Sequence, residues 1–232
     1  MADRGSAAGL RRTARIDLDA LRANLSSLLE HDDSFVLDAR ADAYGHGAAA
    51  VVATALEAGV ATVRVSPNQA ALLGGRRSAL MTVPSRRRLV AGEAYGLAGS
   101  HTPVMTLAGE VISVKAAEAG AGVSYGYSYR TEVDTILALV ALGYADGVPR
   151  LASNRATVHV GGALHPLVGR VAMDQFVVDC GSSSAVAVGD EAVLFGDAAA
   201  GHPLATDWAS QTGRSPLELT AGIGSRVLRV SP

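Results

Sequence analysis

The run Tyr44 to Gly47 (YGHG), in the first half of the chain, is the first candidate for a chemical site. It lies between a stretch that reads as a buried strand and an alanine-rich stretch that reads as a helix. Such a turn brings free backbone N–H groups and the positive end of a helix dipole together, which suits a phosphate. Glycines also occur at strand-to-helix turns for backbone reasons alone, so both interpretations stay open for the turn in isolation.

A tyrosine cluster in the second half, within VSYGYSYR, is the second candidate. Tyr125, Tyr127 and Tyr129 occupy alternate positions, so on a strand their side chains would share one face. The cluster is therefore either part of a site or an aromatic stripe that packs against a sheet.

Two later segments, LGYADGVPR and VGRVAMDQFVVD, place polar residues in turns beside apolar strands, where sites often form. The candidates are Tyr144, Asp146 and Arg150 in the first segment and Arg170, Met173 and Asp174 in the second. Turn chemistry alone would account for Asp146.

The elements that must position these residues change character along the chain. Up to about Pro84, strands alternate with helices, which predicts a parallel α/β unit. From Val104 onward the chain has short strands separated by turn signals such as Gly161-Gly162, which predicts an antiparallel sheet or a small barrel. The predicted organisation is a disordered leader over 1–12, an α/β part over 13–100 and a mostly antiparallel β domain over 101–232.

Composition is that of an ordinary globular protein and excludes several function classes. Of 232 residues, 49% are hydrophobic, and the net charge of −2 predicts binding to neither nucleic acid nor a membrane surface. The N-terminal stretch lacks the apolar core of a signal peptide, and no run approaches the roughly 18 apolar residues of a membrane span. A single cysteine, Cys180, fits a reducing compartment, so a cytoplasmic protein is expected.

Six segments occur in the order seen in alanine racemases, and the chain resembles that family from about Ile16 to Arg226. They are IDLDALRAN, ADAYGHG, AYGL, VSYGYSYR, LGYADGVPR and VGRVAMDQFVVD. The resemblance implies an N-terminal α/β barrel and a C-terminal β domain, in a homodimer whose subunits complete each other's active sites. It also implies pyridoxal phosphate as cofactor, a small amino acid as substrate, and interconversion of L- and D-alanine by two bases, which supplies D-alanine for peptidoglycan.

The resemblance assigns three residues to the cofactor and the proton transfer. Tyr44 matches a tyrosine that contacts the cofactor phosphate, and Tyr125 matches the second catalytic base, which reaches across the dimer interface. Arg40 occupies the position of the lysine that forms the Schiff base with the cofactor.

Five further residues match the substrate side of the site. Tyr144, Arg150 and Arg170 match residues of the active-site entrance. Met173 and Asp174 match the segment that the partner subunit places near the substrate carboxylate.

The chain departs from the family pattern in three ways. A guanidinium keeps its charge and forms no Schiff base, and the only lysine, Lys115, lies in another segment. The α/β part ends before residue 101, whereas an eight-stranded barrel takes about 250 residues, so we expect a truncated barrel that jumps from its third strand to its end. Leu217 stands where a tyrosine that contacts the phosphate is expected.

Two functions follow from the sequence. The chain is either a pyridoxal phosphate-dependent alanine racemase, or a catalytically inactive paralogue whose β domain has a binding or dimerisation role. In the second case Arg40 is a non-functional substitute for the lysine.

Overall fold

The computed structural model describes residues 10–73, 79–84 and 86–231, and it contains an α/β half followed by a β half. The elements of the first half are β1 (Arg12–Ile16), α1 (Leu18–His31), β2 (Val36–Asp38), α2 (Arg40–Tyr44), α3 (Ala48–Glu57), β3 (Val63–Arg64), α4 (Pro67–Leu72), β4 (Leu80–Met81) and β5 (Leu89–Val90). Those of the second half are β6 (Met105–Ala117), β7 (Gly122–Val123), β8 (Tyr129–Arg130), β9 (Thr135–Val140), β10 (Thr157–Val160), β11 (Ala163–Val168), β12 (Phe176–Asp179), β13 (Glu191–Phe195), α5 (Ala205–Thr212), α6 (Pro216–Ala221) and β14 (Leu228–Val230).

Four short strands of the first half form a parallel sheet in the order β4-β3-β2-β5, which confirms the predicted α/β alternation. β2 is buried along its whole length, as expected for a central parallel strand covered on both faces. Its last residue, Asp38, therefore lies at the carboxyl edge of the sheet, where α/β proteins place their ligands.

The helices within the described residues have at most 14 residues, the length of α1. In α1, the Asp17 side chain accepts a hydrogen bond from the Ala20 N–H and so caps the helix. Leu21, Leu25 and Leu28 recur at helical spacing and are buried. None of the helices in the described ranges is long and apolar enough to cross a membrane.

The second half is built on a closed six-stranded barrel, in which β6, β9, β12, β11, β10 and β13 pair antiparallel in a ring. β6 closes the ring because its two ends pair with different strands. Residues 107–110 pair with β13, and residues 111–117 pair with β9. The β10–β11 turn is the predicted hairpin, with φ of +60° at Gly161 and +82° at Gly162. The antiparallel prediction for this half is confirmed.

β1 belongs to the sheet of the second half, although it lies at the start of the first. It pairs antiparallel with β6 and parallel with β14. Its alternate residues Ala14 and Ile16 are buried in the common core. The strand begins at Arg12, inside the stretch 1–12 that the sequence assigned to a leader; residues 1–9 of that stretch lie outside the described residues.

The three tyrosines of VSYGYSYR do not lie on one strand. β7 and β8 form a small hairpin, and its turn contains Tyr125, Gly126 and Tyr127, with φ of +77° at Gly126 and +44° at Tyr127. Tyr125 and Tyr127 are 46% and 63% exposed, whereas Tyr129 is half-buried. The shared face predicted from the alternation was wrong because that argument assumes an extended backbone, and the chain reverses at Gly126.

Candidate cofactor and substrate site

The segment that follows Arg40 is a left-handed helical turn. The three residues after Arg40 have φ between +51° and +56° and ψ between +45° and +48°, and Tyr44 has a φ of +51°. This conformation costs an L-residue roughly 1–2 kcal/mol, so the surroundings must hold the turn in place. One support is local, since the Asp42 carboxylate accepts a hydrogen bond of 2.8 Å from the Ala48 N–H at the start of α3.

The other support comes from the far end of the chain. Gly45 has a φ of +84° and lies so close to α6 that a Cβ there would be 2.1 Å from the Thr220 carbonyl oxygen. Arg229 Nε donates a hydrogen bond of 3.1 Å to the Gly45 carbonyl oxygen. The same guanidinium donates to the Gly224 and Ile223 carbonyl oxygens, each at 2.6 Å. Arg229 thus ties the turn to the segment that follows α6.

Asp38, Arg40 and Tyr44 form a closed hydrogen-bonded cluster at the end of β2. Arg40 Nε lies 2.8 Å from Asp38 Oδ1, and Arg40 Nη2 lies 2.6 Å from Asp38 Oδ2. The Tyr44 hydroxyl donates to Asp38 Oδ2 at 3.0 Å. The Asp38 side chain is only 4% exposed, whereas that of Arg40 is 42% exposed. Arg40 therefore uses one edge of its guanidinium to satisfy a buried carboxylate.

The electrostatics of this cluster favour the charged pair. Burial alone would raise the pKa of the Asp38 carboxyl, but the hydrogen bonds from Arg40 and Tyr44 outweigh it and hold that pKa below its ordinary value. The hydrogen bond to Asp38 raises the pKa of the Arg40 guanidinium further. Burial and the bond to Asp38 raise the pKa of Tyr44. At neutral pH the cluster therefore holds a carboxylate, a guanidinium and a neutral phenol.

His46 and Tyr95 form a buried layer behind the cluster. Their rings stack with centroids 4.5 Å apart, and the Tyr95 hydroxyl donates to the Asp38 carbonyl oxygen at 2.9 Å. His46 Nδ1 lies 2.8 Å from the Ala43 carbonyl oxygen, so it carries the proton of a neutral ring. Burial lowers the pKa of His46 to about 4. The sequence placed both residues in family-like motifs, YGHG and AYGL, but assigned neither a role.

Four of the predicted residues come together in the β half. Arg150 Nη2 donates to the Tyr125 hydroxyl at 3.1 Å, and its guanidinium lies 5.7 Å from the centre of the Tyr144 ring. Arg170 lies 5.5 Å from the centre of the Tyr125 ring. Two cations beside the Tyr125 phenol and its ring form a surface suited to an anionic or aromatic group.

Met173 and Asp174 occupy the loop between β11 and β12, as predicted, and Arg226 holds this loop in place. Arg226 Nη2 lies 2.5 Å from Asp174 Oδ1, and Arg226 Nε lies 3.2 Å from Asp146 Oδ1. The Met173 carbonyl oxygen accepts a hydrogen bond of 3.0 Å from the Ala145 N–H, and the Met173 side chain is exposed. The sequence did not single out Arg226, which joins two carboxylates from separate loops.

α6 lies between the two groups of candidate residues. On one side it contacts the left-handed turn through Thr220. On the other side, Glu218 and Leu219 line an open cleft of about 370 Å³ together with Tyr144 and Arg150. Within the described residues, no hydrogen bond or ion pair joins the Asp38 cluster directly to the Tyr125 group.

Both halves match models of a single protein family. The model described as the alanine racemase N-terminal domain matches residues 16–128, and the model of the alanine racemase C-terminal domain matches residues 104–231. This chain belongs to the alanine racemase family. The resemblance identified from the six sequence segments is therefore confirmed.

Individual alanine racemases show how much of the family is present. The alanine racemase of Salinispora arenicola is 52% identical over 136 residues, which cover 59% of this chain and 35% of the relative. The chain therefore spans about a third of the length of the curated relatives it matches. The crystal structure of alanine racemase from D-cycloserine-producing Streptomyces lavendulae superposes with a TM-score of 0.85 at 27% identity, over 97% of each chain. The enzyme from Streptomyces coelicolor gives a TM-score of 0.82 at 27% identity, over 95% of this chain and 98% of the other.

Pyridoxal phosphate is the cofactor of this family, and the residues of this chain do not fit its covalent attachment. A Schiff base requires an amine that can lose its proton, and the guanidinium of Arg40 cannot supply one. Two donors of Arg40 and the Tyr44 hydroxyl are bound to Asp38. Leu217, in α6, offers no hydroxyl to a phosphate. The residues at this site therefore support no reaction step through a covalently held cofactor.

Proposed function

We propose that this chain is an alanine racemase-like protein that has lost racemase turnover and acts through binding or dimerisation. One observation carries the proposal: the side chain at position 40 is an arginine bound to the Asp38 carboxylate through both Nε and Nη2. The group that would initiate covalent chemistry is thus a permanent cation engaged in an internal ion pair.

The interconversion of L- and D-alanine with pyridoxal phosphate is the second candidate. It is supported by the match to both family domains. It is also supported by the presence of Tyr44 and Tyr125, which under this proposal contact the cofactor phosphate and act as the second catalytic base. Under this proposal Tyr144, Arg150 and Arg170 border the active-site entrance. Met173 and Asp174 would then lie near the carboxylate of the substrate that is bound in the active site of the partner subunit.

Trapping of the cofactor separates the two candidates. The full chain is incubated with pyridoxal phosphate and reduced with borohydride, and mass spectrometry maps the site of any adduct. In parallel, the unreduced chain is incubated with pyridoxal phosphate and L-alanine, and the formation of D-alanine is measured. We expect no adduct in the segment of residue 40 and no D-alanine above the level produced by pyridoxal phosphate alone. Lys115→Arg is the control for unspecific reaction, because Lys115 is exposed on β6.

Two results would contradict the loss of turnover. One is an adduct at Lys115 that accompanies racemisation and disappears with it in Lys115→Arg. The other is racemisation by the wild-type chain that Tyr125→Phe abolishes.

We also propose that the chain is a homodimer. The exposed side chains of Tyr125, Tyr144, Leu151 and Met173 support this, because such apolar and aromatic groups are common in interfaces. Light scattering at micromolar concentration is expected to give twice the chain mass of 23.6 kDa. A monomer mass that persists at the highest soluble concentration would contradict it.

The proposal also includes a shortened α/β barrel and a cytoplasmic location. We interpret the parallel sheet β4-β3-β2-β5 as a shortened form of the family's α/β barrel, because its strands are few and its described part is open at β4 and β5. A cytoplasmic location is supported by a single cysteine, Cys180, which is buried and unpaired.

A further inference from the structure

We propose that Asp38 is a built-in counterion that maintains a positive charge at position 40, so that even a lysine placed there would be held in its protonated form. The inference extends the proposed function, since it concerns why position 40 is closed to Schiff-base chemistry. It assigns the block to two residues, Asp38 and Arg40, rather than to Arg40 alone.

The geometry of Asp38 carries the proposal. The carboxylate lies at the buried end of β2, and its side-chain donors, Arg40 and Tyr44, belong to the turn that follows. Besides these side-chain contacts, the Arg40 backbone N–H donates to Asp38 Oδ1 at 3.2 Å. A carboxylate so supplied with donors stays ionised, and it faces the side chain at position 40.

The other groups around position 40 do not compete for this role. Tyr44 and Tyr95 contribute neutral phenols, the first to the Asp38 carboxylate and the second to the Asp38 carbonyl oxygen. Arg64 is the register partner of Asp38 on β3 and adds a cation. Asp42 adds a second carboxylate, which is exposed and accepts from the Ala48 N–H instead. Asp38 is therefore the carboxylate in contact with position 40.

The consequence for an amine at position 40 follows from ordinary chemistry. To form a Schiff base, an unprotonated amine attacks the aldehyde carbon, a C=N bond forms and water leaves. An opposite charge within about 4–6 Å favours the charged form of a group and raises the pKa of an amine by about 1–3 pH units. A lysine facing Asp38 would thus present its reactive form only at high pH.

The low lysine content of the chain makes the proposal directly measurable. Arg40→Lys contains two lysines, Lys115 and the new one, so isotope labelling of lysine gives two assignable Cε signals for a titration by nuclear magnetic resonance. We compare Arg40→Lys with Asp38→Asn/Arg40→Lys. The control is Asp42→Asn/Arg40→Lys, which removes the other carboxylate of the turn. The Lys115 signal serves as an internal reference in each spectrum.

We expect removal of the Asp38 carboxylate to lower the titration midpoint of the amine at position 40 by at least one pH unit, whereas Asp42→Asn changes it by less than half of that. Borohydride trapping with pyridoxal phosphate at pH 8 should then be about tenfold faster in Asp38→Asn/Arg40→Lys than in Arg40→Lys. Equal midpoints in these two variants would overturn the proposal. If Asp38→Asn prevents folding, Asp38→Val/Arg40→Lys provides the same comparison with an apolar residue.

This test is independent of the proposed function. Racemisation by the wild-type chain would refute the loss of turnover. The comparison of the titration midpoints in Arg40→Lys and Asp38→Asn/Arg40→Lys would remain valid. Equal midpoints would refute the counterion role of Asp38 and leave the absence of an amine from the wild-type site unchanged.

Discussion

Arg40→Met is expected to lower the free energy of unfolding by about 2 kcal/mol at pH 7. The substitution leaves the buried Asp38 carboxylate without the charge-assisted hydrogen bonds that Arg40 Nε and Nη2 donate. Removing one partner from a fully buried ion pair costs roughly 3–5 kcal/mol. The smaller value applies because the Arg40 side chain is 42% exposed and partly screened by water. Urea unfolding of the wild-type and variant chains measures the difference.

The pH dependence and a double-variant cycle identify Asp38 as the cause. In the wild-type chain the pKa of Asp38 is lowered, so its stabilising contribution is present above the carboxyl's unfolded pKa and is lost as the pH falls. In Arg40→Met the side-chain hydrogen bonds from Arg40 that lower this pKa are missing, so the pKa rises above that of the wild-type chain and the two stabilities are expected to converge as the pH is lowered from 7 to about 4. Asp38→Asn/Arg40→Met should recover most of the loss. If Arg40→Met and Asp38→Asn/Arg40→Met lose the same free energy of unfolding relative to the wild-type chain, and the loss is the same at pH 7 and at low pH, Asp38 is not the cause of the loss.

Gly45→Ala is expected to lower the free energy of unfolding by about 3 kcal/mol or more. A Cβ at this position would lie 2.1 Å from the Thr220 carbonyl oxygen and 2.9 Å from its carbonyl carbon, so the left-handed turn and α6 must separate. Overpacking against a rigid backbone adds to the cost of a positive φ in a residue other than glycine. Urea unfolding gives the loss, and proteolysis of the turn before and after substitution reports whether the turn has come away from α6.

Gly120→Ala is the matched control. Gly120 has the same φ of +84°, but no atom lies within 4 Å of the position that a Cβ would occupy. The control therefore contains the backbone cost, about 1–2 kcal/mol, without the clash. Equal losses of unfolding free energy in Gly45→Ala and Gly120→Ala would mean that only the backbone conformation of the glycine matters. The conclusion that α6 supports the turn by close packing would then be wrong.

The two groups of candidate residues differ in how they are arranged in this chain. In the β half, the predicted residues contact one another: Arg150 donates a hydrogen bond to the Tyr125 hydroxyl, and the Arg170 guanidinium lies over the Tyr125 ring. The α/β half keeps Tyr44 but directs its hydroxyl to Asp38. Changing position 40 alone would leave Asp38 in place, so under the proposed function covalent binding of the cofactor is expected to require changes at both positions.

Several structural features were predictable because they depend on short-range chemistry. Alternating apolar residues and turn signals are properties of a few neighbouring residues, and they predicted the order of strands and helices and the hairpin at Gly161-Gly162. The same reasoning failed at Tyr125 to Tyr129, where periodicity could not distinguish an extended strand from a hairpin whose turn centres on Gly126.

The amino-acid sequence by itself determined the family, the α/β-then-β order and the arginine at position 40, because each depends on residue types and spacing along the chain. Only the tertiary structure decided that β1 joins the second-half sheet, that Arg229 ties Gly45 to the segment after α6, and that Asp38 is the partner of Arg40. The first two depend on residues far apart in sequence. The third joins residues two positions apart, but it depends on the burial of Asp38 at the end of β2, and Tyr44 reaches the same carboxylate through a left-handed turn that packs against α6.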